Sequence, residues 1–374
     1  MGSGPLLEKE AQERVIELIR LIEHYRFAYY VLDNPEVTDA RFDELYKELE
    51  ALEQRFPHLA QASSPTRSLG AAPSTDFKEV KHRIPLLSLA NAMNEEELKK
   101  WQERIFRGLN LENDSRKIDL DYVCELKIDG LSIALSYKHG QFEQGATRGN
   151  GTVGEDVTLN LKTIKGLPRS LKPVLIDEDG IVSSADTDTD GIIPELVEVR
   201  GEVYMPVSSF VDLNKGLTDR NEQAFANPRN AASGSLRQKD PRKTAKRKLA
   251  IWTYLVYIED ERLAKPQSQA QNMALLKALG LPVEPSWQCV TGIEAVQAFC
   301  RRFEDRRHEL DYQTDGVVVK LNQRRYWDAL GSTSHSPRWA VAFKYPPELA
   351  KTVLLSIEFE VGRTGAVTPV ANLE

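Results

Sequence analysis

The chain has 374 residues, of which 41% are hydrophobic and 28% are charged, and its formal net charge is −7. This length predicts two or three structural units with a large core, and the composition is that of a soluble globular protein. No apolar run reaches the roughly 18 residues of a membrane span and no charged-then-apolar leader opens the chain, so we expect a cytoplasmic protein without membrane association.

The first part of the chain has the periodicity of two helices. Apolar residues at helical spacing predict one helix over about 8–32, and a second helix with Thr38 as its N-cap continues to Pro57. A short turn joins them into a helical hairpin. Asp39 and Asp43 lie four residues apart on the second helix, away from its apolar stripe. Acidic residues in a first helical turn usually complement the helix dipole, so at this point a binding role is only one of two interpretations.

The next elements are a linker and a mixed set of strands and helices. A polar stretch with proline and serine predicts the linker over about 61–76, residues 84–89 predict an extended segment, and Asn94 begins a helix with Glu97 in the capping-box position. Strand-like runs follow at 131–137, 142–147, 196–205, 249–258 and 316–321, with helices near 206–215, 267–279 and 293–310. Because regular βα alternation is missing, this order predicts an α+β fold with largely antiparallel sheets. Residues 353–361 and 367–370 predict the first hairpin of a further β unit.

The stretch Tyr122-Val-Cys-Glu-Leu-Lys-Ile-Asp-Gly130 sets Lys127 among alternating apolar residues before an Asp-Gly turn. In a strand, Lys127 shares one face with Val123, Glu125 and Asp129, and the opposite face carries Cys124, Leu126 and Ile128. A half-buried strand with a surface salt bridge is the plain alternative.

The three cysteines of the chain, Cys124, Cys289 and Cys300, form neither a C-x-x-C pair nor a disulfide framework, which indicates core thiols in a reducing compartment.

Lys320 and Lys344 also stand at the ends of strongly apolar strands. One such lysine is usually a snorkelling surface residue, but three with carboxylates on matching faces favour a shared site for a polyanion. A free lysine amine has a pKa of about 10.4 and is protonated at neutral pH. Partial burial and nearby cations lower that value and free the lone pair for attack, so we expect Lys320 and Lys344 to lower the pKa of Lys127.

Two motifs are weaker than they look. Gly149-Asn-Gly151-Thr-Val-Gly154 matches the dinucleotide fingerprint, but no βαβ pattern surrounds it, and it predicts a glycine-rich turn between strands. Asp186-Thr-Asp-Thr-Asp-Gly191 copies the start of a calcium loop, but Val197 occupies the position that needs a bidentate glutamate. With acidic residues just upstream, this segment predicts an acidic surface insertion.

Five motifs occur in the order found in covalent nucleotidyltransferases: Cys-Glu-Leu-Lys127-Ile-Asp-Gly, Thr-Arg148-Gly-Asn-Gly, Val-Arg-Gly-Glu202-Val-Tyr, Asp315-Gly-Val-Val-Val-Lys320 and Trp-Ala-Val-Ala-Phe-Lys344. From about residue 14 to its end, including the segment 225–237, the chain resembles the amino-terminal part of bacterial NAD⁺-dependent DNA ligases. The K-x-D-G motif alone is weak evidence, but the ordered set is strong.

The resemblance implies that Lys127 attacks the α-phosphorus of NAD⁺, expels nicotinamide mononucleotide and becomes a lysyl-AMP. It implies that Glu125 and Lys320 lie by the adenine, that Tyr254 stacks on it, that Arg148 and Glu202 address the ribose and a Mg²⁺ or Mn²⁺ ion, and that Lys344 addresses the phosphate. The implied cofactor-binding residues are Tyr29, Asp39, Asp43, Ser88, Leu89, Glu125, Asp129, Arg148, Glu202, Tyr254, Lys320 and Lys344. Glu202 is the implied metal ligand, and Arg229, Arg237 and Arg307 are the implied nucleic-acid or phosphate contacts.

The resemblance also implies a domain order. Residues 1–76 would form a helical domain, with its linker, that closes over nicotinamide mononucleotide, 77–346 an adenylation domain of mainly antiparallel sheets with flanking helices, and 347–374 the start of a truncated oligonucleotide-binding barrel. Tyr30 stands where many members have histidine, Phe42 where many have tyrosine, and Ala90 where aspartate is common. The first two departures remove or move a polar group on the nicotinamide side, at a cost of about 1 kcal/mol.

The expected partner of the full-length enzyme is nicked double-stranded DNA, in replication and repair, and we expect a monomer. The average charge of the chain does not indicate nucleic-acid binding, but 237–248 contains seven basic residues and one acid and could follow a phosphate backbone. A solvated basic loop fits this composition equally well. We expect the chain to adenylylate itself and to seal nicks poorly or not at all. An ATP- or GTP-dependent polynucleotide ligase or capping-type enzyme is the alternative, and a non-enzymatic nucleic-acid-binding module is a second.

Overall fold

The computed structural model of the chain describes residues 4–30, 37, 39–60, 64–66, 77–111, 119–176, 182–184, 191–333, 336–346, 351–361 and 367–374. The helices are α1 Gly4–Tyr30, α2 Asp39–Arg55, α3 Glu95–Gly108, α4 Thr158–Leu161, α5 Val207–Thr218, α6 Pro228–Leu236, α7 Pro241–Lys246, α8 Gln269–Ala278, α9 Ile293–Arg306 and α10 Arg325–Leu330. The strands are β1 Glu79–Lys81, β2 Ala90–Ala92, β3 Asp121–Ile128, β4 Leu131–Lys138, β5 Gln141–Thr147, β6 Val153–Glu155, β7 Val174–Ile176, β8 Val182–Ser184, β9 Leu196–Tyr204, β10 Ala250–Glu259, β11 Gln288–Thr291, β12 Thr314–Leu321, β13 Ala340–Lys344, β14 Leu354–Val361 and β15 Val367–Leu373. None of these described helices is both long enough and apolar enough to span a bilayer.

The helical hairpin predicted at the start of the chain is present as α1 and α2. Its small core consists of five buried apolar side chains, which are Val15, Leu18, Ile22, Leu45 and Leu49. Arg14 of α1 also donates to both carboxylate oxygens of Glu48 of α2, at 2.7 and 2.8 Å. The repeat of apolar residues every three or four positions therefore forms the seam between the helices. Thr38, the expected N-cap of α2, lies outside the described residues.

Two larger sheets confirm the predicted α+β class. One has the strand order β11-β3-β12-β13-β2 and is antiparallel except for the β13–β2 pair. The other has the order β10-β9-β4-β5 and is antiparallel throughout. β14 and β15 form the predicted antiparallel hairpin. Pairing of the strands places residues that are distant in the chain side by side on one face of a sheet.

The five-stranded sheet has one apolar face and one charged face, as the alternation in β3 predicts. Cys124, Leu126 and Ile128 pack into a core formed with α3 and α9. Glu125 and Lys127 project from the opposite face, because successive strand residues point to opposite sides. The helix predicted from Asn94 is α3, and the Asn94 side chain accepts a hydrogen bond from the Glu97 backbone N–H at 2.9 Å. The Glu97 carboxylate accepts from Met93 N, one residue before the position that a capping box requires.

The glycine-rich motif forms a turn between β5 and β6, as predicted. Gly149 and Gly151 have φ angles of +54° and +88°, a backbone region that side chains with a Cβ rarely adopt. The Asn150 side chain accepts from Val153 N at 2.8 Å and closes the turn. The predicted acidic surface insertion over 186–190 lies outside the described residues.

Candidate active site

The charged face of the five-stranded sheet borders a cavity of about 710 Å³. Lys127, Lys320 and Lys344 all line this cavity, which is the arrangement that the sequence predicted. The other predicted site residues that line it are Asp43, Ser88, Leu89, Glu125, Arg148, Glu202, Arg229 and Tyr254. Asp129, Arg237 and Arg307 are described but do not line it, and the side chains of Tyr29, Tyr30 and Asp39 lie outside the described part of the chain.

Strand register brings the lysines together. Gly316 of β12 is paired with Lys127 of β3 on one side and with Lys344 of β13 on the other. Residues paired directly across a sheet project from the same face, so both lysines point to the cavity. Lys320 is four residues beyond Gly316 on the same strand and therefore shares this face.

Lys127 is held by Asp315. The Nζ atom donates to Oδ1 and Oδ2 of Asp315, both at 2.9 Å, and the two side chains are 24% and 21% exposed. Burial lowers the pKa of Lys127, but the carboxylates of Asp315, Asp129 and Glu202 raise it by more, so the net shift is upward. The expectation of a lowered pKa is therefore wrong. The sequence argument counted the neighbouring lysines and left out the carboxylate nearest to the amine.

Asp315 reaches Lys127 because of a bulge in β12. The pairing with β3 shifts between Thr314 and Gly316, which leaves Asp315 as the extra residue. The pKa of the Asp315 carboxyl is lowered: burial opposes this shift, and the ammonium of Lys127 outweighs it. Arg229 of α6 lies on the same wall and donates to Asp129 Oδ1 at 2.8 Å. Asp129 is thus an ion-pair partner of a cavity arginine and not itself part of the cavity wall.

Glu125 and Lys320 form a buried pair at another part of the cavity. Lys320 Nζ lies 2.8 Å from Glu125 Oε2 and 5.0 Å from the centre of the Tyr254 ring. Burial raises the pKa of the Glu125 carboxyl, and Lys320 and Gln269 oppose that shift. Tyr254 is the extra residue of a second bulge, in β10, where the pairing shifts between Thr253 and Leu255. A flat ring beside a buried carboxylate and an ammonium is suited to a planar heterocycle with hydrogen-bonding edges.

Glu202 of β9, the metal ligand that the resemblance implies, is a half-buried carboxylate on the cavity wall. Its Oε2 accepts from Ser132 Oγ at 2.7 Å, and burial raises the pKa of the carboxyl to about 7. Among the described residues, no group of three or more His, Cys, Asp or Glu side chains could hold a metal ion alone. A single carboxylate fits Mg²⁺ all the same, because this ion is commonly bound by one or two carboxylates together with substrate phosphates.

The helical hairpin contributes to the same cavity. Asp43 Oδ2 of α2 accepts a hydrogen bond of 2.6 Å from Lys344 Nζ, and the two side chains are 16% and 13% exposed. Tyr25, Phe42 and Tyr46 of the hairpin line the cavity nearby. The hairpin therefore adds aromatic surface and a carboxylate opposite the sheet.

Two of the predicted arginines make their contacts outside the cavity. Arg237 donates to both carboxylate oxygens of Glu155, at 2.8 and 2.9 Å, and Arg307 lies over the ring of Tyr345 at 5.4 Å. The basic strip 237–248 contains α7, whose N-cap Asp240 also pairs with Arg242. Its exposed members include Lys239, Lys243 and Lys246 and leave a basic surface outside the cavity.

Sequence reasoning missed several side chains of the site. Asp315 stood inside a quoted motif, so its position beside a strand lysine was an available signal. Ser132 and Gln269 carried no such signal, because their contacts with Glu202 and Glu125 arise only in the folded chain. The aromatic residues Trp252, Tyr257, Trp287 and Trp339 also line the cavity and were not predicted.

Comparison with known proteins agrees with this geometry. Residues 74–348 match the NAD-dependent DNA ligase adenylation domain, and residues 8–70 match the DNA ligase-like, N-terminal NAD⁺-binding domain. The chain is 45% identical over 365 residues to a DNA ligase of Parasynechococcus marenigrum (strain WH8102), which covers 98% of this chain and 51% of that protein. It is 46% identical over 367 residues to a DNA ligase of Geotalea daltonii (strain DSM 22248 / JCM 15807 / FRC-32), which covers 97% and 51%. The chain thus spans about half the length of the curated relatives it matches.

Among solved structures, the chain is similar to a mycobacterial DNA ligase D complexed with ATP and MES. The TM-score is 0.32 and the identity is 19%, over 60% of this chain and 54% of that one.

Proposed function

Because the chain belongs to the family of NAD-dependent DNA ligases, we propose that it performs the first step of nick sealing, the transfer of AMP from NAD⁺ to Lys127. The Nζ ammonium of Lys127 gives one proton to solvent, and the free amine forms a bond to the α-phosphorus and releases a second proton to solvent. The bond from that phosphorus to the bridging oxygen of the pyrophosphate breaks, and nicotinamide mononucleotide leaves with the electron pair. The product is a lysyl-AMP phosphoramidate, which the full-length enzyme would pass to a DNA 5′-phosphate.

One observation carries the proposal. Lys127 and Lys344 lie in one row on one sheet face, and the hairpin carboxylate Asp43 is bonded to Lys344 across the cavity. Two ammonium groups on neighbouring strands suit the two phosphates of a dinucleotide, and they would offset the charge that grows on phosphorus during attack. The hairpin beside them supplies rings and a carboxylate for a cationic nicotinamide, which favours NAD⁺ over ATP or GTP as the donor.

The remaining cavity residues receive roles that follow from their chemistry. Glu125 and Lys320 would hold the edge of the adenine and Tyr254 its face, with Ser88 and Leu89 beside the nucleotide and Arg148 at the ribose. Arg229 would contact phosphate, with Asp129 fixing its guanidinium. Tyr29, Asp39 and Asp43 would face the nicotinamide mononucleotide. Arg237 and Arg307 stay candidates for phosphate or DNA contacts outside the cavity, together with the basic strip.

Glu202 would hold Mg²⁺ or Mn²⁺. When bound, the metal supplies charge neutralisation at the phosphates. Ser132 positions the Glu202 carboxylate, and the pKa of about 7 keeps it largely ionised only above neutral pH.

We propose the domain order 1–76, 77–346 and 347–374 for the NMN-binding cap with its linker, the adenylation domain and the start of an oligonucleotide-binding barrel. The complete protein would act as a cytoplasmic monomer on nicked double-stranded DNA in replication and repair. Since the chain spans about half of its relatives, it would adenylylate itself and seal nicks poorly or not at all.

The experiment is to incubate the chain with Mg²⁺ and with NAD⁺ or ATP labelled in the adenine, and to look for label on the protein. We expect label from NAD⁺ and none from ATP, and none on a Lys127→Ala variant. A matched control is Lys138→Ala, an exposed lysine at the end of β4, which should label normally. Label from ATP alone would refute the donor, label on Lys127→Ala would refute the nucleophile, and efficient sealing of a nicked duplex would refute the restriction to self-adenylylation.

A further inference from the structure

Glu125 is held from two sides by hydrogen-bond donors. Lys320 Nζ donates to its Oε2 at 2.8 Å, and the amide nitrogen of Gln269 donates to its Oε1 at 2.8 Å. The same Gln269 nitrogen donates to Tyr254 O at 2.9 Å. A carboxylate and a carbonyl can only accept from an amide, so these two contacts fix which end of the Gln269 side chain faces the cavity wall.

Gln269 itself does not reach the cavity. Its side chain is fully buried, and it is absent from the cavity wall to which Glu125, Lys320 and Tyr254 belong. Its own oxygen accepts from Asn272 Nδ2 at 3.2 Å. A buried amide with both ends bonded is held in one orientation, so its influence on a ligand passes through Glu125.

The position of Gln269 is fixed by the end of β12. The backbone N–H of Gln269 donates to Asn322 O at 2.8 Å, and the N–H of Ala270 donates to Asn322 Oδ1 at 3.1 Å. Asn322 follows two residues after Lys320. The first turn of α8 and the strand that carries Lys320 are therefore joined directly, and both donors meet Glu125 in one rigid unit.

Two donors leave the carboxylate able to accept only. Lys320 and Gln269 both stabilise the ionised form of Glu125. Oε1 lies 2.8 Å from both donors, whereas Oε2 is approached by Lys320 and keeps a second lone pair for a ligand. A ligand group opposite Glu125 must then donate a hydrogen bond. The exocyclic amine of a 6-aminopurine does so, whereas the oxygen of a 6-oxopurine would face the carboxylate lone pairs.

We infer that Gln269 is a positioning residue that keeps Glu125 an acceptor, and that it thereby sets the preference for a 6-aminopurine over a 6-oxopurine in the donor dinucleotide. This inference rests on the proposed function, because it assumes that the base of the donor lies against Glu125. Without the amide, Lys320 alone opposes the effect of burial on the pKa of Glu125. A larger share of the carboxyl is then protonated and able to donate to a 6-oxo group, so the preference for the 6-aminopurine should narrow.

The test compares self-adenylylation from NAD⁺ with the same reaction from nicotinamide hypoxanthine dinucleotide, followed by intact-protein mass spectrometry. The unmodified chain should prefer NAD⁺, and Gln269→Met, which keeps the side-chain length and removes the donor, should reduce the ratio of rate constants by at least about tenfold. The matched control is Leu276→Ala, at an equally buried position of α8 whose apolar side chain makes no hydrogen bond to Gln269. It should lower the melting temperature and keep the ratio.

The results distinguish a failure of the proposed function from a failure of the inference about Gln269. If the unmodified chain accepts neither dinucleotide, the proposed function fails. If it accepts NAD⁺ without discriminating, or if Gln269→Met keeps the full preference, the inference about Gln269 is overturned and the proposed function stands. Equal changes of the ratio in Gln269→Met and Leu276→Ala would show a structural effect only and also overturn it. Should Gln269→Met not fold, Gln269→Asn, which keeps the amide and withdraws it by one methylene group, carries the same comparison.

Discussion

Replacing Asp315 by asparagine removes the charge that holds Lys127 protonated and preserves the shape of the side chain. In the unmodified chain the pKa of Lys127 is raised, so the amine is a cation throughout the neutral range. Attack on phosphorus requires the free amine, and the rate should therefore rise with pH, by about tenfold per unit, over the whole accessible range. In Asp315→Asn only Asp129 and Glu202 still oppose the effect of burial on the pKa of Lys127, so the rise should end at lower pH.

The size of this shift follows from the geometry. A unit charge 2.9 Å from the ammonium contributes about 6 kcal/mol at an effective dielectric constant of about 20, and each pH unit corresponds to about 1.4 kcal/mol. The pair is roughly a quarter exposed, so solvent screening reduces the full effect. We expect the pH at which the rate levels off to fall by at least about two units.

The assay measures the second-order rate constant for self-adenylylation from NAD⁺ between pH 6 and 10, since this parameter reports the free enzyme. The control is Asp129→Asn, because Asp129 also raises the pKa of Lys127 but is paired with Arg229. Its profile should move by less than about one unit. An unchanged profile in Asp315→Asn, a move to higher pH, or equal moves in both variants would refute this account of the amine.

Three further outcomes are expected. The Mg²⁺ concentration that gives half-maximal adenylylation should rise as pH falls below about 7, because the Glu202 carboxyl is then protonated and binds the ion less tightly. Glu202→Gln should abolish this pH effect, and an identical pH effect in the variant would exclude Glu202 as the ligand. Leu135→Ala in the fully buried part of β4 should lower the free energy of unfolding by about 3 kcal/mol in urea, whereas Leu159→Ala, at a position that is 65% exposed, should change it by less than about 0.5 kcal/mol; equal losses would contradict the assigned core. In the native chain a thiol reagent should modify Cys289 alone, and the reaction should be slow because partial burial raises the pKa of the Cys289 thiol. All three cysteines should react only in denaturant, and rapid reaction of Cys124 or Cys300 in the native chain would contradict their burial.

The sequence was most informative where one physical signal dominated. Alternation in β3 and the heptad-like spacing in α2 predicted which side chains are buried, because burial of apolar surface decides those positions. Short elements such as β2, α6 and α7 were not predicted, because each contains too few residues for its apolar periodicity to be told apart from that of a turn.

The error at Lys127 has a different origin. The pKa of a buried lysine depends on which charge is nearest, and that distance is set by a bulge at Asp315 that no sequence periodicity announces. The role of Gln269 was invisible for a similar reason, because its contacts join a helix to two strands that are distant in the chain. Local patterns thus identified charged side chains that line the cavity, whereas the electrostatics of the site came from tertiary structure.

Gly316 separates the columns of Lys127 and Lys344, and a Cβ placed there would lie 2.0 Å from the carbonyl oxygen of Phe343. The two lysines are consequently two strand spacings apart, about 10 Å between backbones, and no side chain can be inserted between them without separating the strands. The strand spacing of the sheet thus fixes the distance between the backbones of the two lysines. Under the proposed function, the groups around the base can vary by substitution, whereas a different spacing of the two lysines would require a different sheet.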